Sequence, residues 1–206
     1  MRVRVDGEMR EAELFGENMV IRRRIESVMG EDSIVLIDEV ENQSYRQEPL
    51  MLMYHCNMGY PFLDEDAELF LPSTKVSGRE KYSDEHLDRW NLMDPPEDNA
   101  REYVYIHELA SDENQDTLCL FVNKKLGIGL SIEFNKGLLP YFNEWKSIAS
   151  GDYVVGLEPA NAKAYNRQYH KENGLLQYME PFEKRTFKLR FTVVEGEDRL
   201  SEIKGR

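Results

Sequence analysis

Three short segments of the chain carry residue types suited to moving protons and to holding a polar ligand. The first is Tyr54-His55-Cys56-Asn57-Met58-Gly59-Tyr60-Pro61, where a histidine and an asparagine interrupt the end of an apolar run. Side chains two apart on a strand point to the same face, so His55 and Asn57 would project together from one side of a sheet. A hydrogen-bonded core histidine is the other reading of the same pattern. The second is Gly156-Leu157-Glu158-Pro159-Ala160-Asn161. Proline lacks an N–H and tends to end a ladder, which puts Glu158 where a strand opens into a loop. Partial burial there would raise its pKa and suit it to proton transfer near neutral pH; a solvated strand-end glutamate is the alternative. The third is Trp145-Lys146. An indole face stacks against the C–H surface of a sugar while neighbouring charges hydrogen-bond its hydroxyls, although a core-capping tryptophan with a surface lysine has the same sequence. His107, in Tyr105-Ile106-His107-Glu108-Leu109, is a weaker candidate of the same kind.

Other chemistries find less support. Gly127-Ile128-Gly129 lacks the later glycine and lysine of a phosphate loop. No two histidines stand at zinc-binding spacing, and there is no Gly-x-Ser-x-Gly elbow. The run Arg22-Arg23-Arg24 alternates faces on a strand and reads as solvated charge rather than an anion site. His86 and His170 lie in polar segments that read as exposed.

The elements that must position these residues are strands, because the dominant pattern is alternation and not a helical period. Met1–Asp6 and Met9–Leu14 read as a hairpin turning at Asp6-Gly7. Asn18–Val28, Ser33–Glu41 and the strongly apolar Pro49–Asn57 follow, the last as a central strand. Tyr103–Leu109, Thr117–Asn123, Ile128–Phe134, Tyr141–Lys146, Tyr153–Leu157 and Arg185–Val194 read as further strands, spaced as in a β-sandwich. Helical pattern is confined to Asp84–Trp90 and Ala162–Lys171. The segment from Ser73 to Arg101, with Pro95-Pro96 inside it, is the longest irregular stretch, and loops of that length in a compact domain are often functional.

Composition sets the frame. The chain has 206 residues, enough for one β-sandwich domain over residues 1–206; 41% are hydrophobic and 32% charged, as in globular proteins. Its net charge of −13 argues against a nucleic-acid backbone or an anionic membrane surface as partner. Cys56 and Cys119 stand in no metal-ligand spacing and read as free, buried thiols in a reducing compartment. The opening MRVRVDGEMREAEL has no apolar core of a signal peptide. No apolar stretch approaches the ~20 residues of a membrane helix, so the expected location is cytoplasmic.

Taken in order, the His-x-Asn strand end, the Trp-Lys pair and the Gly-Leu-Glu-Pro-x-Asn segment resemble the galactose mutarotase-like superfamily. More specifically, YHCNMGYP and GLEPAN resemble an aldose 1-epimerase-like family of unknown function, as do LFGENMVIRRRI, VYIHELASD and WKSIASGDYVVGLEPANA. The resemblance covers nearly the whole chain. It implies an all-β fold of the mutarotase-like (supersandwich) type, shortened at its N-terminus and similar to the later portion of such proteins. It implies a small-molecule carbohydrate as ligand, His55 as general acid and Glu158 as general base. Asn57, His107, Trp145, Lys146 and Asn161 are expected near the sugar cleft. Ring opening by acid–base chemistry needs no metal or organic cofactor. The implied function is interconversion of sugar anomers. A non-catalytic carbohydrate-binding module, or an inactive truncated remnant of an epimerase, is the alternative. The shortened fold would leave a sheet edge exposed, through which a homodimer could form.

Overall fold

The computed structural model describes residues 1–204. In chain order the strands are β1 (Arg2–Ala12), β2 (Asn18–Val28), β3 (Ser33–Asn42), β4 (Glu48–Leu50), β5 (Cys56–Gly59), β6 (Ala67–Phe70), β7 (Ser73–Gly78), β8 (Tyr103–Leu109), β9 (Asp116–Asn123), β10 (Ile128–Asn135), β11 (Tyr141–Ser147), β12 (Val154–Ala160), β13 (Gln177–Met179) and β14 (Lys184–Glu195). Short helices α1 (Lys81–Asp84), α2 (Arg167–Glu172) and α3 (Glu197–Lys204) join them. Seven strands form one sheet in the order β1-β2-β3-β14-β10-β9-β6, and five form a second in the order β5-β12-β11-β8-β7. β4 and β13 make a two-stranded ribbon. None of the helices among the described residues is long and apolar enough to cross a membrane.

Alternation decides which face each strand buries. Cys119 and Phe121 of β9, Ile132 and Phe134 of β10, and Phe187 and Leu189 of β14 form the inner face of the larger sheet. They pack on Leu109, Phe142, Val155 and Leu157 of the smaller one. β9 is apolar on its other face too, and there Leu120 and Val122 meet Val194 of β14 and Leu200 of α3. A strand covered on both sides needs a continuous apolar run, and Leu118–Val122 supplies one.

Several elements depart from the sequence reading. β1 does not turn at Asp6-Gly7. It runs straight, and all eleven of its residues pair with β2, Asp6 opposite Arg24 and Gly7 opposite Arg23. An unbroken partner strand offers more ladder bonds than a two-residue turn in mid-strand, so the reversal falls at residues 13–17, where Phe15 takes a positive φ of 62°. Pro49–Asn57 is no central strand. It divides into β4 and β5, and β5 is an edge strand. Ser73–Arg101 is not wholly irregular, for it contains β7, α1 and a turn of 3₁₀ helix at Leu87–Arg89. β7 reads as loop because STKVSG has no apolar alternation; an edge strand with a bulge between Ser73 and Lys75 does not need one. The predicted helix at Ala162–Lys171 contracts to α2, which Asn166 caps by accepting a hydrogen bond from the Tyr169 N–H.

Both cysteines are free, Cys119 buried and Cys56 half-buried. The arginine run is ion-paired rather than simply solvated. Arg22 meets Glu8, Glu39 and Glu41 on one face, and Arg23 turns inward to the fully buried Asp38. His170 is buried rather than exposed, its ring nitrogens hydrogen-bonded to the Lys163 N–H and the Asn166 carbonyl.

Candidate active site

Glu158 lies within β12, two residues before the strand ends. Pro159 interrupts the pairing on the β5 side of β12, which ends as a ladder at Leu157–Cys56 and returns in the same register as the single bridge Met53–Ala160, so the missing N–H costs one bond opposite Tyr54. The Pro159 carbonyl, on that same edge, accepts from the Tyr54 N–H instead. On β12 the inner positions Val155 and Leu157 belong to the core, which leaves Gly156 and Glu158 on the outer face of the smaller sheet. The register sets Asn143 of β11 opposite Glu158, Trp145 opposite Gly156, and Asn57 of β5 on the other side of Gly156. His55, two residues before Asn57, joins the same face.

The two groups are in contact. His55 Nε2 lies 2.9 Å from Glu158 Oε1, with the imidazole 45% exposed and the carboxylate only 4% exposed. The His55 ring rests on Trp145, centroids 5.7 Å apart and tilted by 57°. Trp145 Nε1 donates to Glu102 Oε2 at 2.8 Å, and the other Glu102 oxygen lies 3.6 Å from the Arg79 guanidinium. Gly156 makes room for the pair: a Cβ there would come within 2.7 Å of Glu158 Oε1 and 3.0 Å of His55 Cε1. Asn143 is fully buried and ties down the segment after β12. It donates to the Ala162 carbonyl and accepts from the Ala164 N–H. Tyr165, in that segment, donates to the Arg79 carbonyl.

Burial pushes the Glu158 carboxyl up to about 7, Arg79 pulls against this, and Glu144 adds to the rise from within the sandwich. A carboxyl that titrates near neutrality, touching a solvent-facing imidazole, can take a proton from one ligand oxygen while the imidazole serves another.

Of the residues singled out in the sequence, the fold brings His55, Asn57, Trp145 and Glu158 to one face. His107, Lys146 and Asn161 point elsewhere, and the expectation that they line the cleft is corrected. His107 and Lys146 occupy β8 and β11 positions of the opposite parity, so they turn into the sandwich. His107 is fully buried between Ser73, 3.0 Å from Nδ1, and Glu144, 3.3 Å from Nε2. Lys146 donates to the carbonyls of Arg89 and Leu92 at 2.8 and 2.9 Å and fastens that loop from within; burial lowers its pKa. Asn161 binds the Leu50 carbonyl and the Leu52 N–H and joins β12 to the ribbon. The sequence reading passed over Asn143, Glu102 and Arg79. Parity could have found Asn143, two residues before Trp145, whereas Arg79 and Glu102 flank a stretch that reads as loop.

A family model described as a domain of unknown function (DUF4432) matches residues 1–193. No curated protein matches the chain. Among solved structures, it is similar to a protein from Klebsiella pneumoniae named a candidate aldose 1-epimerase. That match has 25% identity and a TM-score of 0.94, and covers 99% of this chain and 54% of that one. A galactose mutarotase-like protein from Clostridium acetobutylicum matches at 12% identity and a TM-score of 0.63, over 94% of this chain and 62% of its own. An aldose epimerase homologue from C. elegans matches at 11% and 0.62, over 95% and 66%. The chain thus spans about half the length of the Klebsiella protein. The fold is that of the galactose mutarotase-like β-sandwiches.

Proposed function

The chain belongs to the DUF4432 family, and from that premise we propose that it is an aldose 1-epimerase-like protein that interconverts sugar anomers by acid–base ring opening. The observation that carries this reading is the contact between Glu158, whose carboxyl burial has brought to about 7, and the open imidazole of His55. The names of the Klebsiella and C. elegans proteins point the same way. In the proposed cycle a pyranose displaces the direct contact between the two side chains. Glu158 takes the proton of the anomeric hydroxyl, and His55 protonates the ring oxygen. The C–O bond to the ring oxygen breaks as the carbonyl forms, and rotation about C1–C2 precedes closure. On closure His55 takes its proton back from the hydroxyl that becomes the ring oxygen, and Glu158 returns its proton to the anomeric oxygen, which completes the exchange. Trp145 offers the apolar face against which the sugar's C–H surface rests, and the exposed Asn57 supplies donors for a hydroxyl.

Two-dimensional NMR exchange across common aldoses tests the proposal. Glu158→Gln and His55→Asn are each expected to lower exchange by about 10²–10⁴-fold, the usual contribution of a positioned acid or base. Exchange by the wild type should rise with pH through about 7 as Glu158 ionises, and that limb should vanish in Glu158→Gln. Equal exchange in wild type and both variants overturns the proposal. The length comparison favours a second reading, a carbohydrate-binding module without turnover. Calorimetric sugar binding that Trp145→Ala weakens, with no exchange above the Glu158→Gln background, selects that reading.

A further inference from the structure

β1 closes the larger sheet on one side, and all eleven of its residues are exposed. Its two faces differ. Val3, Val5 and Met9 point to the core side, where Val5 lies opposite Ile25 and Ile25 opposite Leu36, a residue that packs on the core. This apolar face is therefore the core face of the sheet continued outward, and Val3, Val5, Met9 and Ile34 on it are all about half exposed. The other face carries Arg2, Arg4, Asp6, Glu8 and Arg10. The free edge can also be read from the ladder. The Met1 carbonyl accepts from the Met29 N–H, so the odd-numbered residues spend their backbone groups on β2. The even-numbered residues turn theirs outward, unpaired.

We propose that β1 is the docking edge for a second copy of this chain, paired antiparallel about a two-fold axis at Val5. Charge complementarity selects both the partner and the register, each new pair extending the ion pairs that Arg4 makes with Asp6, and Glu8 with Arg22, inside the chain. Centred on Val5, the pairing sets Arg2 opposite Glu8 of the second copy and Arg4 opposite its Asp6, and symmetry repeats both pairs. These are the residues with free backbone groups, so they form the hydrogen-bonded pairs and supply about eight backbone bonds, two for each pair. On the other face Val5 meets Val5 and Met1 meets Met9, at the closely spaced positions where side chains touch best. Centring on Gly7 instead would set Arg4 against Arg10 and Asp6 against Glu8. Centring on Asp6 would pair Arg4 with Glu8 but set Asp6 against itself and Arg2 against Arg10. An isologous contact requires a self-complementary strand, and β1 is self-complementary in the Val5 register.

Sedimentation equilibrium on the full chain tests this, with three variants. The wild type is expected to be a dimer that dissociates on dilution. Glu8→Arg sets like charges together twice, once per symmetry-related pair, and should raise the dissociation constant about tenfold or more. Arg2→Glu should do the same. The double variant Arg2→Glu with Glu8→Arg restores opposite charges in the proposed register and should return the constant to within about threefold of the wild type. Glu8 also meets Arg22 within the chain, but Arg22 keeps Glu39 and Glu41 when Glu8 is replaced, so circular dichroism and the melting temperature should show the wild-type fold in all three. A wild type that stays monomeric overturns the proposal, as does a dimer that Glu8→Arg leaves intact or one that the charge swap fails to restore.

Discussion

Glu158 is held where a carboxylate is unfavourable, and the consequence has a sign. Its folded pKa is raised from 4.5 to about 7, so the native state binds its proton more tightly than the unfolded chain does. Its contribution to stability is then full below pH 4.5 and is lost as pH rises towards 7; above that the carboxylate costs the fold at most about 3 kcal/mol. Glu158→Gln is neutral and of the same shape. It should therefore melt higher than the wild type at pH 8 and lose most of that advantage at pH 4. An equal gap at both pH values would show that burial of charge is not the cause. Gly156 belongs to the same scale. Gly156→Ala puts a methyl group within 2.7 Å of Glu158 Oε1, which must separate the carboxylate from His55. Anomer exchange should fall at least about tenfold, while urea unfolding moves by no more than about 1–2 kcal/mol, because the neighbours that must yield are side-chain ends at a half-open face.

Among the elements, β11 links the outer site to the interior. Its odd positions, Asn143 and Trp145, serve the site, and its even positions, Phe142, Glu144 and Lys146, fill the sandwich. Lys146 stands in for secondary structure in the loop beneath it, holding carbonyls of Arg89, Trp90 and Leu92 that no strand satisfies. Lys146→Met keeps the volume and removes the donor. It should destabilise the fold by about 1–3 kcal/mol in urea titration, since the half-buried carbonyls of Trp90 and Leu92 lose this donor at once, while that of Arg89 keeps the Leu92 N–H. If it stabilised the fold instead, water would have to reach those carbonyls, and the lysine would not be what organises the loop. β7 shows a limit of pattern reading at this scale. An edge strand with Gly78 pressed against α1 is selected for fit, not for alternation, and its residues spell a loop.

For the whole molecule, the two sheets divide the work. The smaller carries the candidate site on its outer face, and the larger supplies more of the core than the smaller does and ends in the open edge of β1. The larger sheet has more apolar surface than the smaller layer covers, for Val3, Val5 and Met9 of β1 stand about half exposed on its core face.

Strand identity, and His55 and Glu158 as candidate residues, were legible in the sequence, because alternation and local residue type are properties of neighbours along the chain. Asn18–Val28 is a strand to the residue, and β8 to β11 start and stop within a residue or so of where their patterns do. His55, Trp145 and Glu158 were visible as types with a chemical use. Three further choices depended on partners far away in sequence. The straight course of β1 was decided by β2, against a turn signal at Asp6-Gly7. The inward turn of His107 and Lys146 was decided by which face of β8 and β11 the larger sheet covers. The meeting of His55 with Glu158 was decided by the register between β5 and β12, since a slip of one residue would send one of them into the core.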